Sequence, residues 1–146
     1  MQSTTVPALV IRRTLEASPQ RVYEAWTNPP LAQQFMCPEG VTVPEVQMDV
    51  RVGGTYRIVM QPDDGESLVA RGTYREVQPG KRLSMTWRWE EDTPEEEYDT
   101  LLTLDFAPHG TGTELTLTHE QFATDQSRTN HEGGWTTVMD KMEKLR

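Results

Sequence analysis

The sequence predicts an α+β domain in which an antiparallel meander of strands is closed by one C-terminal helix. Two observations carry this. From Thr42 onward apolar residues recur at every second position, and turn residues separate the runs. Over His131 to Arg146 the period becomes helical: Trp135, Val138, Met139, Met142 and Leu145 form one stripe, while Thr137, Asp140, Lys141, Glu143 and Lys144 face away. Such a stripe needs a surface to lie on, and the apolar face of the strands supplies it.

Ala8 to Leu15 reads as the first strand. Ser18-Pro19 then offers an N-cap followed by proline at the first helical position, and Val22, Tyr23 and Trp26 make a buried stripe. Asn28-Pro29-Pro30 stops that helix before a second short one near Leu31 to Met36. The strand runs follow: Val46, Met48, Val50; Tyr56, Ile58, Met60; Leu68, Ala70, Gly72, Tyr74. Gly53-Gly54, Asp63-Asp64-Gly65, Pro79-Gly80 and His109-Gly110-Thr111-Gly112 are spaced for hairpins. Glu90 to Glu97 is an acidic connection with Pro94 inside it, and it reads as a solvated loop.

The turns set the faces. Folding about Asp64-Gly65 places Met60 opposite Leu68, Ile58 opposite Ala70 and Tyr56 opposite Gly72. Folding about Pro79-Gly80 places Tyr74 against Met85, Gly72 against Trp87 and Ala70 against Trp89, so that two small residues leave room for two indoles. The last hairpin aligns Phe106 with Leu115, Leu104 with Leu117 and Leu102 with His119, which turns His119 inward. At Gly53-Gly54 a plain two-residue turn puts Asp49 and Gln47 on the face of Tyr56, whereas a one-residue bulge puts Val50 and Met48 there; the bulge keeps the apolar residues together.

Composition narrows the function classes. The 146 residues suit one domain spanning 1–146. A formal charge of −9 with scattered lysines and arginines opposes binding of nucleic acid. No apolar run approaches the roughly 20 residues of a membrane span. The N-terminal Met1 to Pro7 lacks a basic start and an apolar core, so a cytoplasmic location is expected. With Cys37 as the single cysteine and three dispersed histidines, neither an internal disulfide nor a metal site of recognisable spacing arises, and no cofactor is expected. Gly53-Gly54 joins two strands, which is not the setting of a phosphate loop.

Several stretches resemble the activator of heat-shock protein 90 ATPase homologue-like family, within the START-like (SRPBCC, Bet v 1-like) superfamily. They are Val10 to Leu15 with Ser18-Pro19-Gln20-Arg21-Val22-Tyr23-Glu24-Ala25-Trp26-Thr27; Asp49-Val50-Arg51-Val52-Gly53-Gly54-Thr55-Tyr56-Arg57; Gly72 to Val77 with Pro79, Arg82-Leu83 and Thr86-Trp87; Thr113 to His119; and His131-Glu132-Gly133-Gly134-Trp135. The resemblance implies a helix-grip fold: a curved antiparallel β-sheet wrapped around a long C-terminal α-helix, two short helices after strand 1, and an apolar cavity between sheet and helix. The sequence departs from the pattern at Phe35-Met36-Cys37-Pro38, where many relatives carry Trp-Trp-Gly-Pro near the cavity mouth. None of these stretches resembles the separate N-terminal domain of the eukaryotic co-chaperone, so that domain's chaperone contact is not expected here.

The expected ligand-binding residues are Trp26, Met48, Tyr56, Ile58, Met60, Tyr74, Met85, Trp87, Trp89, Leu102, Leu104, Leu117, His119, Trp135 and Met139, a lining of large adaptable side chains around a hydrophobic or amphipathic small molecule. Three readings stay open. The first is such a binding protein. The second is a polyketide cyclase-like enzyme with His119 as acid or base. The third is a protein-interaction module, a chaperone partner in a stress response or a homodimer, using the outer sheet or the acidic loop.

Overall fold

The alternating segments form one seven-stranded antiparallel sheet in the computed structural model, which describes residues 6–38, 40–90 and 98–146. The elements run β1 (Leu9–Leu15), α1 (Pro19–Thr27), α2 (Pro29–Phe35), β2 (Val41–Met48), β3 (Thr55–Pro62), β4 (Leu68–Gln78), β5 (Arg82–Trp89), β6 (Thr100–His109), β7 (Gly112–Glu120) and α3 (Asp125–Met142). Their order in the sheet is β1-β7-β6-β5-β4-β3-β2, so β2 to β7 form a meander and β1 joins it beside β7. The sheet curls into a half barrel around α3, as expected of a helix-grip fold. Most of the 90–97 connection lies outside the described residues.

Local chemistry sets the helices. The Ser18 hydroxyl accepts from the Arg21 N–H at 3.2 Å, Pro19 opens α1, and Val22, Tyr23, Ala25 and Trp26 are buried. The second helix starts at Pro29 rather than near Leu31, because a proline at the first position lacks only an N–H that would have no partner there. The C-terminal helix starts at Asp125 rather than His131. Thr124 caps it by accepting from Ser127 N–H at 3.1 Å, and Asp125 favours the positive end of the helix dipole. Those early turns carry no apolar stripe, so periodicity does not reveal them. The helix ends at Met142, yet Leu145 is still buried with the rest of the stripe.

The registers of two hairpins agree with the turn arithmetic: Met60 faces Leu68, Ile58 faces Ala70 and Tyr56 faces Gly72; Phe106 faces Leu115, Leu104 faces Leu117 and Leu102 faces His119. In the β4–β5 hairpin Tyr74 meets Met85 and Ala70 meets Trp89, but the turn is one residue longer than a two-residue loop, and a register shift between Tyr74 and Glu76 absorbs the difference. At Gly53-Gly54 the side chains have the parity of the bulged alternative, with Met48 opposite Tyr56, although the connection is longer than one bulge residue. Asp49 therefore points to solvent, where its carboxylate pairs with Arg51 at 2.8 Å.

Gly72 has a different role from the one expected. A Cβ there would lie 1.9 Å from the Thr86 carbonyl oxygen and 2.8 Å from the Tyr56 hydroxyl. The missing side chain makes room for the backbone of β5 rather than for an indole. Into that space Tyr56 donates to the Thr86 carbonyl at 2.5 Å, and the Thr73 N–H donates to the Thr86 hydroxyl at 2.9 Å. Gly72→Ala is expected to cost at least about 2 kcal/mol in urea unfolding. Gly53→Ala, at φ +85° in open space, should cost only about 1 kcal/mol. Equal costs would show that the β5 backbone yields easily.

Candidate functional site

Between α3, as far as Val138, and the concave ends of β3, β4 and β5 lies a cleft of about 560 Å³. Met60, Leu68, Val69, Trp87 and Trp89 border it from the sheet, Met36, Pro38 and Val41 from the α2–β2 connection, and His131, Gly134, Trp135 and Val138 from α3, with Thr124, Gln126, Ser127, Asn130 and Glu90 as its polar margin. It shares Trp87, Trp89, Ser127 and His131 with a smaller pocket of about 160 Å³. Gly134 keeps part of this space open: a Cβ built on it comes no nearer than 3.8 Å, to Pro38.

Two indole–imidazole pairs organise the interior. Trp135 Nε1 donates to His119 Nδ1 at 2.9 Å, and Trp89 Nε1 donates to His131 Nε2 at 2.9 Å. An indole N–H only donates, so each receiving ring nitrogen carries a lone pair and each imidazole is neutral. His119 Nε2–H then donates to Thr100 Oγ1 at 2.6 Å, and the Thr100 hydroxyl donates to the Trp87 carbonyl at 2.8 Å. His131 Nδ1–H donates to the Ser127 carbonyl at 2.7 Å. Burial, with a smaller contribution from His131, pushes the His119 pKa down to about 2 from the ordinary 6.5. Burial also lowers that of His131, partly opposed by its bond to Ser127. The Trp87 indole N–H, like that of Trp26, is buried without a partner among the described residues.

Of the residues singled out in sequence, Met60, Trp87, Trp89 and Trp135 border the cleft. Trp26 packs behind Trp135 with ring centroids 5.9 Å apart, and Tyr56 contacts both Tyr74 and Trp87. Ile58, Met85, Leu102, Leu104, Leu117 and Met139 are buried in the core, Met48 is half-buried at the end of edge strand β2, and His119 is fully buried behind Trp135. Sequence reasoning did not name His131 as a lining residue, nor Met36, Pro38, Val41, Leu68, Val69 and Val138. The signal for His131 was its position four residues before Trp135, on one face of α3. Met36 and Pro38 lie in the connection between α2 and β2, which carries no periodic pattern.

Other concavities have a different character. On the outer face, register aligns Arg57, Arg71 and Arg88 across three strands. Carboxylates accompany them: Glu90 lies 3.1 Å from Arg57 and 3.7 Å from Arg71, and Asp99 lies 2.5 Å from Arg88, which holds its carboxyl below the usual range. These exposed pairs contribute little to stability. Cys37 is buried, with Lys141 Nζ donating to its carbonyl at 2.7 Å and its sulfur at 3.0 Å. Among the described residues no group of three or more His, Cys, Asp or Glu could hold a metal ion, and no helix is long and apolar enough to cross a membrane.

The family model described as "Activator of Hsp90 ATPase homolog 1-like protein" matches residues 16–146. Among solved structures, protein CV1439 from Chromobacterium violaceum is 26% identical over 94% of this chain and 95% of its own, with a TM-score of 0.80. The AHSA1 protein from Silicibacter pomeroyi is 24% identical over 94% and 95%, with a TM-score of 0.82, and CalU16 from Micromonospora echinospora is 24% identical over 92% and 73%, with a TM-score of 0.71. At these identities the latter two show likeness of fold. No curated protein matches the chain.

The neutral histidines couple folding to pH. The unfolded chain protonates each near pH 6.5, whereas folded His119 stays neutral down to about 2 and folded His131 also titrates below its ordinary value. Unfolding therefore takes up protons below pH 6.5, and stability, fully present above it, should fall by up to about 1.4 kcal/mol per pH unit for each histidine. His119→Gln, which retains an acceptor for Trp135 and a donor for Thr100, is expected to remove one proton's worth of that slope between about pH 6.5 and 5. Urea unfolding at stepped pH reads it. An unchanged slope would show that the folded imidazole takes a proton.

Proposed function

We propose that this chain, which belongs to the Activator of Hsp90 ATPase homolog 1-like family, holds a hydrophobic or amphipathic small molecule in the cleft between α3 and strands β3 to β5. The observation that carries the reading is the cleft itself. Its volume of about 560 Å³ falls inside the range of roughly 300 to 1,000 Å³ typical of small-molecule sites. Its walls are three indoles, methionines and aliphatic side chains, with a few polar groups at the margin.

Binding fits the chemistry of the site better than catalysis does. Both ring nitrogens of His119 are engaged by neutral partners, and Trp135 stands between it and the cleft. A general base needs a free lone pair within reach of substrate, which neither His119 nor His131 offers in this arrangement.

Gly134→Leu tests the reading. A Cβ there meets only Pro38, in ordinary contact; the rest of the leucine is expected to occupy the cleft and to lower affinity for an apolar fluorescent dye at least about tenfold, while the change from glycine in a helix adds up to about 1 kcal/mol of stability. Gly133→Ala, whose added Cβ meets nothing within 4 Å, should stabilise the helix without altering dye affinity. Unchanged dye affinity in Gly134→Leu would place binding elsewhere.

A further inference from the structure

Resting on that reading, we propose that the cleft selects its ligand by charge, taking a neutral or cationic aromatic molecule and rejecting the anionic analogue. With the histidines neutral, Glu90 is the one charged residue among the described residues that borders it, and its carboxylate is turned to Arg57 and Arg71. None of the 14 lysines and arginines borders the cleft or the smaller pocket beside it, and the residues outside the described set include no lysine or arginine. Cations on neighbouring segments are engaged. Lys141, one turn beyond Val138, is held by Cys37; Arg57 and Arg71 contact the Glu90 carboxylate; Arg128 donates to the carbonyls of Pro7 and Ala8.

Neutral donors could in principle stand in for a cation, but two of the three indole N–H groups of the wall are committed. Trp89 and Trp135 give their N–H groups to His131 and His119. At the start of α3 the Ser127 N–H is taken by Thr124, and Asp125 lies in the first turn. An anion buried there would lose its hydration shell and meet, besides the unpartnered Trp87 N–H, only neutral hydroxyl and amide groups at the margin, from Thr124, Ser127 and Asn130, with no cation to offset the loss. The faces of three indoles attract the opposite charge.

The protein supplies its own reporter, since Trp87, Trp89 and Trp135 border the cleft and Trp26 packs on Trp135. Tryptophan fluorescence is titrated with N-phenylnaphthylamine and with its sulfonated analogue, anilinonaphthalenesulfonate, which share one aromatic frame and differ in charge. The neutral dye is expected to bind at least about tenfold more tightly. That ratio should persist at roughly 1 M salt, where a Debye length near 3 Å screens the repulsion from the molecule's net charge. Asn130→Lys, an exposed change at the margin, should raise affinity for the sulfonate relative to the neutral dye and so narrow the ratio between them. Equal or tighter binding of the sulfonate overturns charge selection by the cleft, and so does a preference that vanishes in salt. Binding of both dyes that is insensitive to Gly134→Leu, or binding of neither, removes the cleft reading and this inference with it.

Discussion

One neutral imidazole ties the closing helix to the sheet. His119 accepts from Trp135 on α3, donates to Thr100 on β6, and through that hydroxyl reaches the Trp87 carbonyl on β5. Four elements thus share one chain of hydrogen bonds, and every donor in it has one acceptor. The chain works in one protonation state. A second proton on His119 would place two donors head to head at Nδ1, and the buried site provides no counter-charge. The histidine is therefore a fixed strut of the fold, and its apolar surroundings are what keep it one.

The aromatic layer around the strut explains why helix and sheet stand apart. Trp87 lies between Trp89, Trp135, Tyr56 and His119, with ring centroids 5.0 to 6.2 Å away. Rings of this size hold α3 off the strands, and a close fit on one side leaves a gap on the other wherever the helix presents a small residue. Gly134 is that residue. The close approach at Gly72 acts in the same region, because the Thr86 carbonyl enters the place of its absent side chain just before β5 delivers Trp87.

Most of the fold was legible because a sheet with one apolar face repeats its instruction at every second residue. Hairpin turns then convert that pattern into partners, and Leu102 opposite His119 was readable from residue numbers alone. What escaped was set by single backbone events. The bulge near Arg75 and the long connection at Gly53-Gly54 move loop residues without changing which face a side chain takes. The start of α3 escaped because its first turns are polar and held by a cap. The site was half legible for a related reason: its indoles belong to the apolar pattern, whereas His131, Met36 and Pro38 reach the cleft from a polar turn and a connection that periodicity does not describe.

The cleft occupies the part of the structure where packing asks least of the chain. The buried residues of α3 are Trp135, Val138, Met139 and Met142, all in its second half. That half anchors the helix, while the first half serves only as wall, which Gly134, Trp135 and Val138 continue. An unfilled space costs stability in proportion to the contacts its lining forgoes, so a void is least expensive beside a helix that is already held elsewhere. Two adjacent glycines sit where wall meets anchor, a position at which alanine would give a firmer helix. At Gly133 the missing side chain opens nothing, but at Gly134 it opens the cleft. The geometry is that of a helix whose anchored end fixes the fold, leaving the composition of the other end free to suit what lies beneath it.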